Sequence, residues 1–167
     1  KDTEGLQING EVIASDDLSD STEAAVYVNG INSDLIKASK GLSYTLSENG
    51  AYYIVSGIGT CTDKIVIIPE EYNGIPVRAI GARAFKNNVN ITGVVFNSRI
   101  FRVEAEAFLG CKSLVSVTVT DPAGWVSTDN SGEKAKVVSI SVPDMADPEK
   151  AATAFVTTYS ATVLDRT

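Results

Sequence analysis

A phrase of twenty residues occurs twice in this chain, offset by 23 residues, and it constrains the fold more than any other feature. Residues 77–96 read VRAIGARAFKNNVNITGVVF, and residues 100–119 read IFRVEAEAFLGCKSLVSVTV. Apolar and small residues return in phase, whereas the positions between them change freely. Stacked repeats show this pattern because each turn buries the same positions against its neighbours. The sequence therefore predicts a short solenoid with a binding or scaffolding surface.

Alternation within the repeat predicts which strand residues face the core. The corresponding pairs in successive turns are Val66 with Ile68, Val94 with Phe96, and Val117 with Val119. Side chains alternate along a strand, so these pairs face inward and the residue between them faces outward. The outward column is Ile67, Val95 and Thr118. It is partly apolar, and an exposed apolar column is typical of an interaction surface.

The segments that connect the strands share an Ala-Phe dipeptide flanked by polar residues. We expect a short helical or 3₁₀ turn at each, with Phe85 and Phe108 in the core. Cys111 stands where Asn88 stands one turn earlier, which predicts a small buried residue. A disulfide with Cys61 would have to span about two turns of the stack, so we expect both thiols to be free.

The residues before the repeats divide into two parts. Residues 42–57 alternate around Asn49-Gly50, which predicts a β-hairpin that closes the first turn. Residues 1–41 are an N-terminal extension of unclear fold, which either packs on the repeats or links to a preceding domain. Within it, residues 6–13 resemble a hairpin turning at Asn9-Gly10. An acidic stretch at 15–23 and a strand-like Val26-Tyr27-Val28 follow.

The residues after the repeats predict a C-terminal cap over 122–167. A polar loop is expected over 127–136 and a strand over 137–142. Asp147 precedes Pro148, a pattern that indicates a helix start with Asp as N-cap. The helix is expected to cover the last turn with one apolar face, formed by Ala151, Ala152, Phe155, Val156 and Tyr159. The predicted class is therefore α+β and mainly β, with hairpin and repeats over 42–121.

The combined motifs resemble the BspA-like leucine-rich repeat family. The resemblance is carried by Y-I-V-S-G-I-G-T at 53–60, I-I-P at 67–69, Y-N-G-I-P-V at 72–77 and A-F-L-G-C-K-S-L-V-S-V at 107–117. It covers roughly residues 42–120. The sequence departs from the family pattern at Glu104 in place of Gly, at Asn88 in place of Cys, and at Phe96-Asn97 in place of an apolar-Pro pair.

This resemblance implies a leucine-rich-repeat solenoid from a surface or secreted protein, of the kind found mostly in host-associated bacteria. It implies an extracellular or cell-surface location and adhesion to host matrix proteins, host cells or other bacteria. The partner would be a protein or a glycan.

The composition excludes several other classes of function. The chain has no His and no CxxC pair, so the usual histidine-based catalysis and zinc sites are absent, and we expect no enzyme, cofactor or metal. The net charge of −7 disfavours nucleic acid as a partner. No apolar run approaches the roughly 20 residues of a membrane span. We expect a monomer.

Two hypotheses for the function follow. The first is an adhesin-like binding module that contacts its partner through the outward column, together with Tyr72, Arg78 and Arg102. The second is a structural spacer or end-cap module of a larger surface protein, which predicts a uniform polar surface without a specific ligand.

Overall fold

The computed structural model describes residues 5–8, 11–14 and 37–167. The first two ranges are the strands β1 (Gly5–Ile8) and β2 (Glu11–Ala14), which pair antiparallel with Leu6 opposite Ile13. This confirms the predicted N-terminal hairpin. The predicted turn at Asn9-Gly10, the acidic stretch at 15–23 and the strand Val26-Tyr27-Val28 lie outside the described residues.

Within residues 37–167 the architecture is mainly β. The strands are β3 (Ser43–Leu46), β4 (Tyr53–Gly57), β5 (Ile65–Ile67), β6 (Glu71–Tyr72), β7 (Ile75–Ile80), β8 (Gly93–Val95), β9 (Arg102–Val103), β10 (Ser116–Thr118), β11 (Trp125–Asp129), β12 (Lys136–Ser139) and β13 (Val163–Arg166). One sheet has the order β10-β8-β5. A larger sheet has the order β12-β11-β13-β9-β7-β4-β3, with β6 paired to β7.

The small sheet contains the predicted register of the repeat. Its three strands are parallel, with Val66 opposite Val94 and Val94 opposite Val117. All three side chains are buried, as alternation predicts. The repeats also contribute strands to the larger sheet. There β4, β7 and β9 are parallel, and Ile80 is opposite Val103. The apolar core lies between these two sheets.

The Ala-Phe segments are turns rather than the predicted helical or 3₁₀ segments. Arg83 and Asn87 adopt positive φ angles of 59° and 62°, which no right-handed helix tolerates. Successive segments are joined by backbone hydrogen bonds, including one of 2.8 Å from the amide of Phe85 to the carbonyl of Ala107. Each segment thus bonds to the next turn along the stack as well as within itself, as in the bond from the amide of Asn88 to the carbonyl of Phe85. Phe85 and Phe108 are buried in the core as predicted.

Two hairpins precede and interrupt the repeats. β3 and β4 pair antiparallel across a turn in which Gly50 has a φ of 71°, which confirms the hairpin predicted at residues 42–57. A second hairpin joins β6 and β7 through Asn73 and Gly74, both at positive φ. Asn-Gly between alternating residues is typical of such a two-residue hairpin turn.

The C-terminal segment continues the larger sheet and adds helices. β11 and β12 form an antiparallel hairpin, so Ser127–Asp129 belong to a strand and not to the predicted polar loop. The helices are α1 (Val142–Ala146), α2 (Pro148–Thr153) and a π-helical segment (Ala154–Thr158). The predicted N-cap is confirmed, since the carboxylate of Asp147 accepts hydrogen bonds from the amides of Glu149 and Lys150.

The helix α2 packs against β10, and Phe155 of the π-helical segment contacts Phe96, Phe108 and Trp125. The predicted apolar helix face is confirmed, because its residues belong to the core or pack against it. The final strand, β13, was not predicted. It inserts between β9 and β11 and pairs antiparallel with both, which carries the larger sheet from the repeats into the C-terminal segment.

Candidate functional site

The outward column of the small sheet is in the predicted register but is only partly accessible. Ile67, Val95 and Thr118 are direct neighbours across the three strands. Val95 and Thr118 are half-buried, but Ile67 is only 5% exposed, contrary to the expected open column. The residues before β3 lie against this strand, since Ser39 donates its amide to the carbonyl of Ile67 and accepts the Ile67 amide at Oγ. The accessible part of the column is therefore Val95 and Thr118.

Tyr72 lies away from this column, in a cluster of three tyrosines. Its ring stacks on that of Tyr44 at a centroid distance of 4.0 Å and an interplanar angle of 20°. Tyr53 meets the ring of Tyr72 edge-on at 5.1 Å. Burial, followed by the nearby Tyr72, raises the pKa of Tyr44 to about 12, so its hydroxyl stays protonated at neutral pH. Tyr72 remains 40% exposed.

The tyrosine cluster borders an open groove of about 670 Å³, here called the tyrosine groove. Its lining combines the residues before β3 with the start of the β6–β7 hairpin. The lining residues are Lys37, Ala38, Ser39, Lys40, Gly41, Leu42, Tyr44, Pro69, Glu71 and Tyr72. The groove therefore has an aromatic and apolar wall with lysines at its rim, and its volume is in the range of ligand sites, roughly 300–1,000 Å³.

Arg78 occupies a third surface, on the larger sheet. It is exposed on β7, and its guanidinium carbon lies 5.0 Å from the ring centroid of Phe101 and 6.0 Å from that of Tyr52. The two rings meet edge-on at 5.5 Å. No carboxylate of residues 37–167 pairs with Arg78. We call these three residues the arginine cluster.

Arg102 neighbours this cluster on β9 but is engaged within the fold. Its Nε lies 3.5 Å from Oδ1 of Asp165 on β13. Neither of these two atoms makes a hydrogen bond that satisfies ordinary geometry, although both are buried. The contact ties β9 to the last strand. Arg102 is thus less available to a partner than Arg78.

The structure therefore distributes the six predicted residues over three surfaces and does not bring them together. Sequence reasoning missed the aromatic residues that accompany two of them, namely Tyr44, Tyr52 and Phe101. Tyr44 and Tyr52 are visible in the sequence as part of the predicted hairpin, but their neighbours come from later turns. Only the stacking of turns shows which residues meet.

Both cysteines are free thiols, as expected. Cys111 is fully buried, and its Sγ lies 3.0 Å from the carbonyl oxygen of Phe85, which is consistent with a core position. Burial raises the pKa of the Cys111 thiol to about 11. Such a thiol is protonated at neutral pH and is a poor nucleophile.

Within the described residues, no three His, Cys, Asp or Glu side chains are grouped so that they would hold a metal ion. The helices in that part of the chain are also too short or too polar to cross a membrane.

Comparison with known proteins gives structural neighbours only. No protein-family model matches the chain, and no curated protein matches its sequence. A leucine-rich repeat protein of T. pallidum matches at 24% identity and a TM-score of 0.45, over 48% of this chain and 37% of that protein. One from Bacteroides capillosus matches at 21% identity and a TM-score of 0.42, over 48% of this chain and 64% of that protein.

A leucine-rich cell surface protein of Faecalibacterium prausnitzii matches at 22% identity and a TM-score of 0.44, over 53% of this chain and 24% of that protein. All are bacterial leucine-rich repeat proteins, as the resemblance in the sequence predicts. The chain spans less than two thirds of the length of each of these neighbours.

Proposed function

We propose that this chain is a non-catalytic binding module that contacts a protein or glycan, in the manner of an adhesin. The arginine cluster is the observation that carries the proposal. It places the exposed cation of β7 beside two aromatic rings, which precede the neighbouring strands β4 and β9. Arginine and aromatic residues are enriched at interfaces and among their energetic hot spots. A partner carboxylate would find guanidinium N–H groups that the rings hold in one orientation.

The architecture we propose for this module is a short leucine-rich-repeat solenoid. Residues 42–121 would supply the hairpin cap and the repeats, residues 122–167 the C-terminal cap, and residues 1–41 an N-terminal extension. The continuous backbone bonding from β4 to β7 to β9 supports this division, since each strand adds one turn to the sheet. A cell-surface or extracellular location follows from the sequence resemblance alone and belongs to the same proposal.

Val95 and Thr118 offer a second contact surface on the small sheet. Both are accessible, neighbouring and on different turns, so a partner that spans turns would touch both. Ile67 is left out of the proposed surface because it is buried. An Ile67→Lys variant would place a charge in the fold and would test stability and not binding.

The proposal is tested by a binding screen of the folded domain against host matrix proteins, mucins and a glycan array. We expect at least one specific ligand whose affinity falls about tenfold or more in Arg78→Ala, as for a central interface residue. Val95→Lys tests the second surface in the same assay. Lys134→Ala, on the exposed β11–β12 hairpin, is the matched control for loss of a surface cation.

The opposite result is also informative. If a protein with an intact thermal transition binds nothing in the screen, the binding-module proposal fails. The chain would then be a spacer that positions a neighbouring domain. A ligand that binds equally to wild type, Arg78→Ala and Val95→Lys would keep the module but remove both proposed surfaces.

A further inference from the structure

The tyrosine groove has a feature that the arginine cluster lacks, namely a concave wall that ends in an aromatic ring. Tyr44 covers one face of the Tyr72 ring by stacking, and the Tyr53 ring stands at 81° to the Tyr72 ring. Tyr72 is nevertheless 40% exposed. The ring is therefore fixed by its neighbours while part of its surface faces the groove, which is the arrangement needed to receive a flat apolar ligand face.

The backbone supports this ring rigidly. Tyr72 is on β6, opposite Ile75 on β7, and the two strands are joined by a tight turn at Asn73 and Gly74. Arg99 from the next turn holds the base of the hairpin through Glu70 at 3.4 Å and Glu71 at 3.5 Å. A ligand that binds against Tyr72 would thus find a surface that needs little ordering.

The charges of the groove favour an anion. The carboxylate of Glu71, the one acidic residue in the lining, is paired with Arg99. Lys37 and Lys40 are exposed at the rim and form no ion pair with residues 37–167. Residues 37–167 carry 13 Lys or Arg and 13 Asp or Glu, so their net charge is zero and the net charge of −7 comes from residues 1–36. Lys37 and Lys40 are therefore cations, unpaired within residues 37–167, on a part of the chain that has no net charge of its own.

We propose that the tyrosine groove binds an acidic glycan through a carboxylate-bearing sugar. The apolar face of the sugar ring would lie on Tyr72, and its carboxylate would meet Lys37 and Lys40. Stacking on Tyr72 favours a ligand with a ring, and the two lysines favour a ligand with a negative charge. A carboxylate-bearing sugar has both properties. The inference rests on the proposed binding function and extends it by assigning a further site and a ligand class.

The experiment measures binding of trigalacturonate by calorimetry at low ionic strength, with galactotriose as the neutral probe of the same length. We expect trigalacturonate to bind about tenfold more tightly than galactotriose, which is the effect of two exposed charge pairs. Lys37→Gln with Lys40→Gln should remove this preference. Tyr72→Ala should weaken trigalacturonate about fivefold or more, whereas Tyr72→Phe, which retains the ring, should stay within about twofold of wild type.

Three controls separate this inference from simpler outcomes. Lys112→Gln, an exposed lysine on a separate surface near α2, should leave trigalacturonate binding unchanged. Arg78→Ala is measured in parallel, because a loss of trigalacturonate binding in this variant and not in Tyr72→Ala would assign the carboxylate to the arginine cluster, so that failure of the two sites is distinguishable. Triglutamate, a chain with equal charge but no ring, should bind about fivefold more weakly than trigalacturonate.

Three results would overturn the inference. The first is the absence of trigalacturonate binding by folded protein. The second is equal affinity for triglutamate and trigalacturonate, which would show charge attraction alone. The third is binding that survives Tyr72→Ala unchanged, which would place the sugar elsewhere.

Discussion

The rings of Phe85 and Phe108 are parallel within 12°, with their centroids 5.3 Å apart. The two residues hold the same position in consecutive turns, 23 residues apart, and both are fully buried. Phe108 also meets Phe155 of the C-terminal segment at 5.8 Å. The phenylalanines therefore form a column that runs through the repeats and into the residues that follow them.

Replacing Phe108 by Ala should lower the free energy of unfolding by about 3–5 kcal/mol, because it removes buried ring surface and leaves a cavity between two aromatic neighbours. Urea unfolding followed by circular dichroism measures this. Val89→Ala is the control, since Val89 is 53% exposed on a neighbouring turn and should change stability by less than about 0.5 kcal/mol. Equal effects of the two substitutions would show that the column does not support the fold.

A second prediction concerns Asn97, which stands where the family pattern has proline. Its Nδ2 donates to the carbonyl oxygens of Pro69 and Val77, at 2.5 and 3.1 Å, and its Oδ1 accepts the amide of Arg99 at 2.7 Å. Asn97→Ala removes the amide donor to these two carbonyl oxygens and should cost about 1–3 kcal/mol. Chemical denaturation should show little change for the neighbouring exposed Ser98→Ala. A stable Asn97→Ala protein would mean that water replaces the amide.

The extent to which the sequence predicted this structure depends on the range of the interaction. The strand register was predictable because Val66, Val94 and Val117 recur in phase and bury the same face. The burial of Ile67 was not, since alternation gives the face of a strand but not what lies against it. Ser39, which precedes the repeats, hydrogen-bonds to the backbone of Ile67.

The same limit applies to the candidate site. Arg78 was identified from its position, but Tyr52 and Phe101 reach it from other turns, and their meeting depends on the stacking geometry. The turn at Arg83 was mistaken for a helix because nothing in its composition signals a positive φ. β13 was missed because its partners, near Val103 and Trp125, are distant in sequence.

Gly59 and Gly50 provide a matched pair for a third prediction. Both have positive φ angles, 56° and 71°, so alanine is strained at either position. A Cβ at Gly59 would collide with the carbonyl oxygen of Gly41, whereas nothing lies within 4 Å of a Cβ at Gly50. Gly50→Ala should cost about 1 kcal/mol and Gly59→Ala clearly more. Urea midpoints of the two variants measure the difference, and similar midpoints would contradict the close packing of Gly41 on Gly59.

The fourth prediction is a pH dependence at Glu106. The side chain of Lys86, at 2.7 Å, and then that of Arg83, at 3.0 Å, hold the pKa of this carboxyl below its usual value. A depressed folded-state pKa gives a stabilising contribution that is present above the unfolded pKa of about 4.3 and is lost as pH falls through the folded value.

Thermal melts of wild type and Glu106→Gln should therefore differ at pH 7 and converge in acid. The difference should also shrink in 1 M salt, where the Debye length is only about 3 Å. Glu104→Gln, which removes a neighbouring carboxylate with no ion pair among residues 37–167, should show no such convergence. A difference between wild type and Glu106→Gln that persists undiminished at low pH would exclude the charge interaction as its cause.

The last prediction concerns the C-terminal segment. Deleting residues 143–167 removes β13 from between β9 and β11 and removes Phe155 from the aromatic core. Two repeats bury too little apolar surface to be stable alone, since about three are normally needed. The truncated chain should lose its cooperative thermal transition and aggregate, as seen by circular dichroism and size-exclusion chromatography. Phe155→Leu in the intact chain should still fold, at a cost of about 1–2 kcal/mol. A cooperative melt of the truncated chain would show that the repeats and the preceding hairpin suffice.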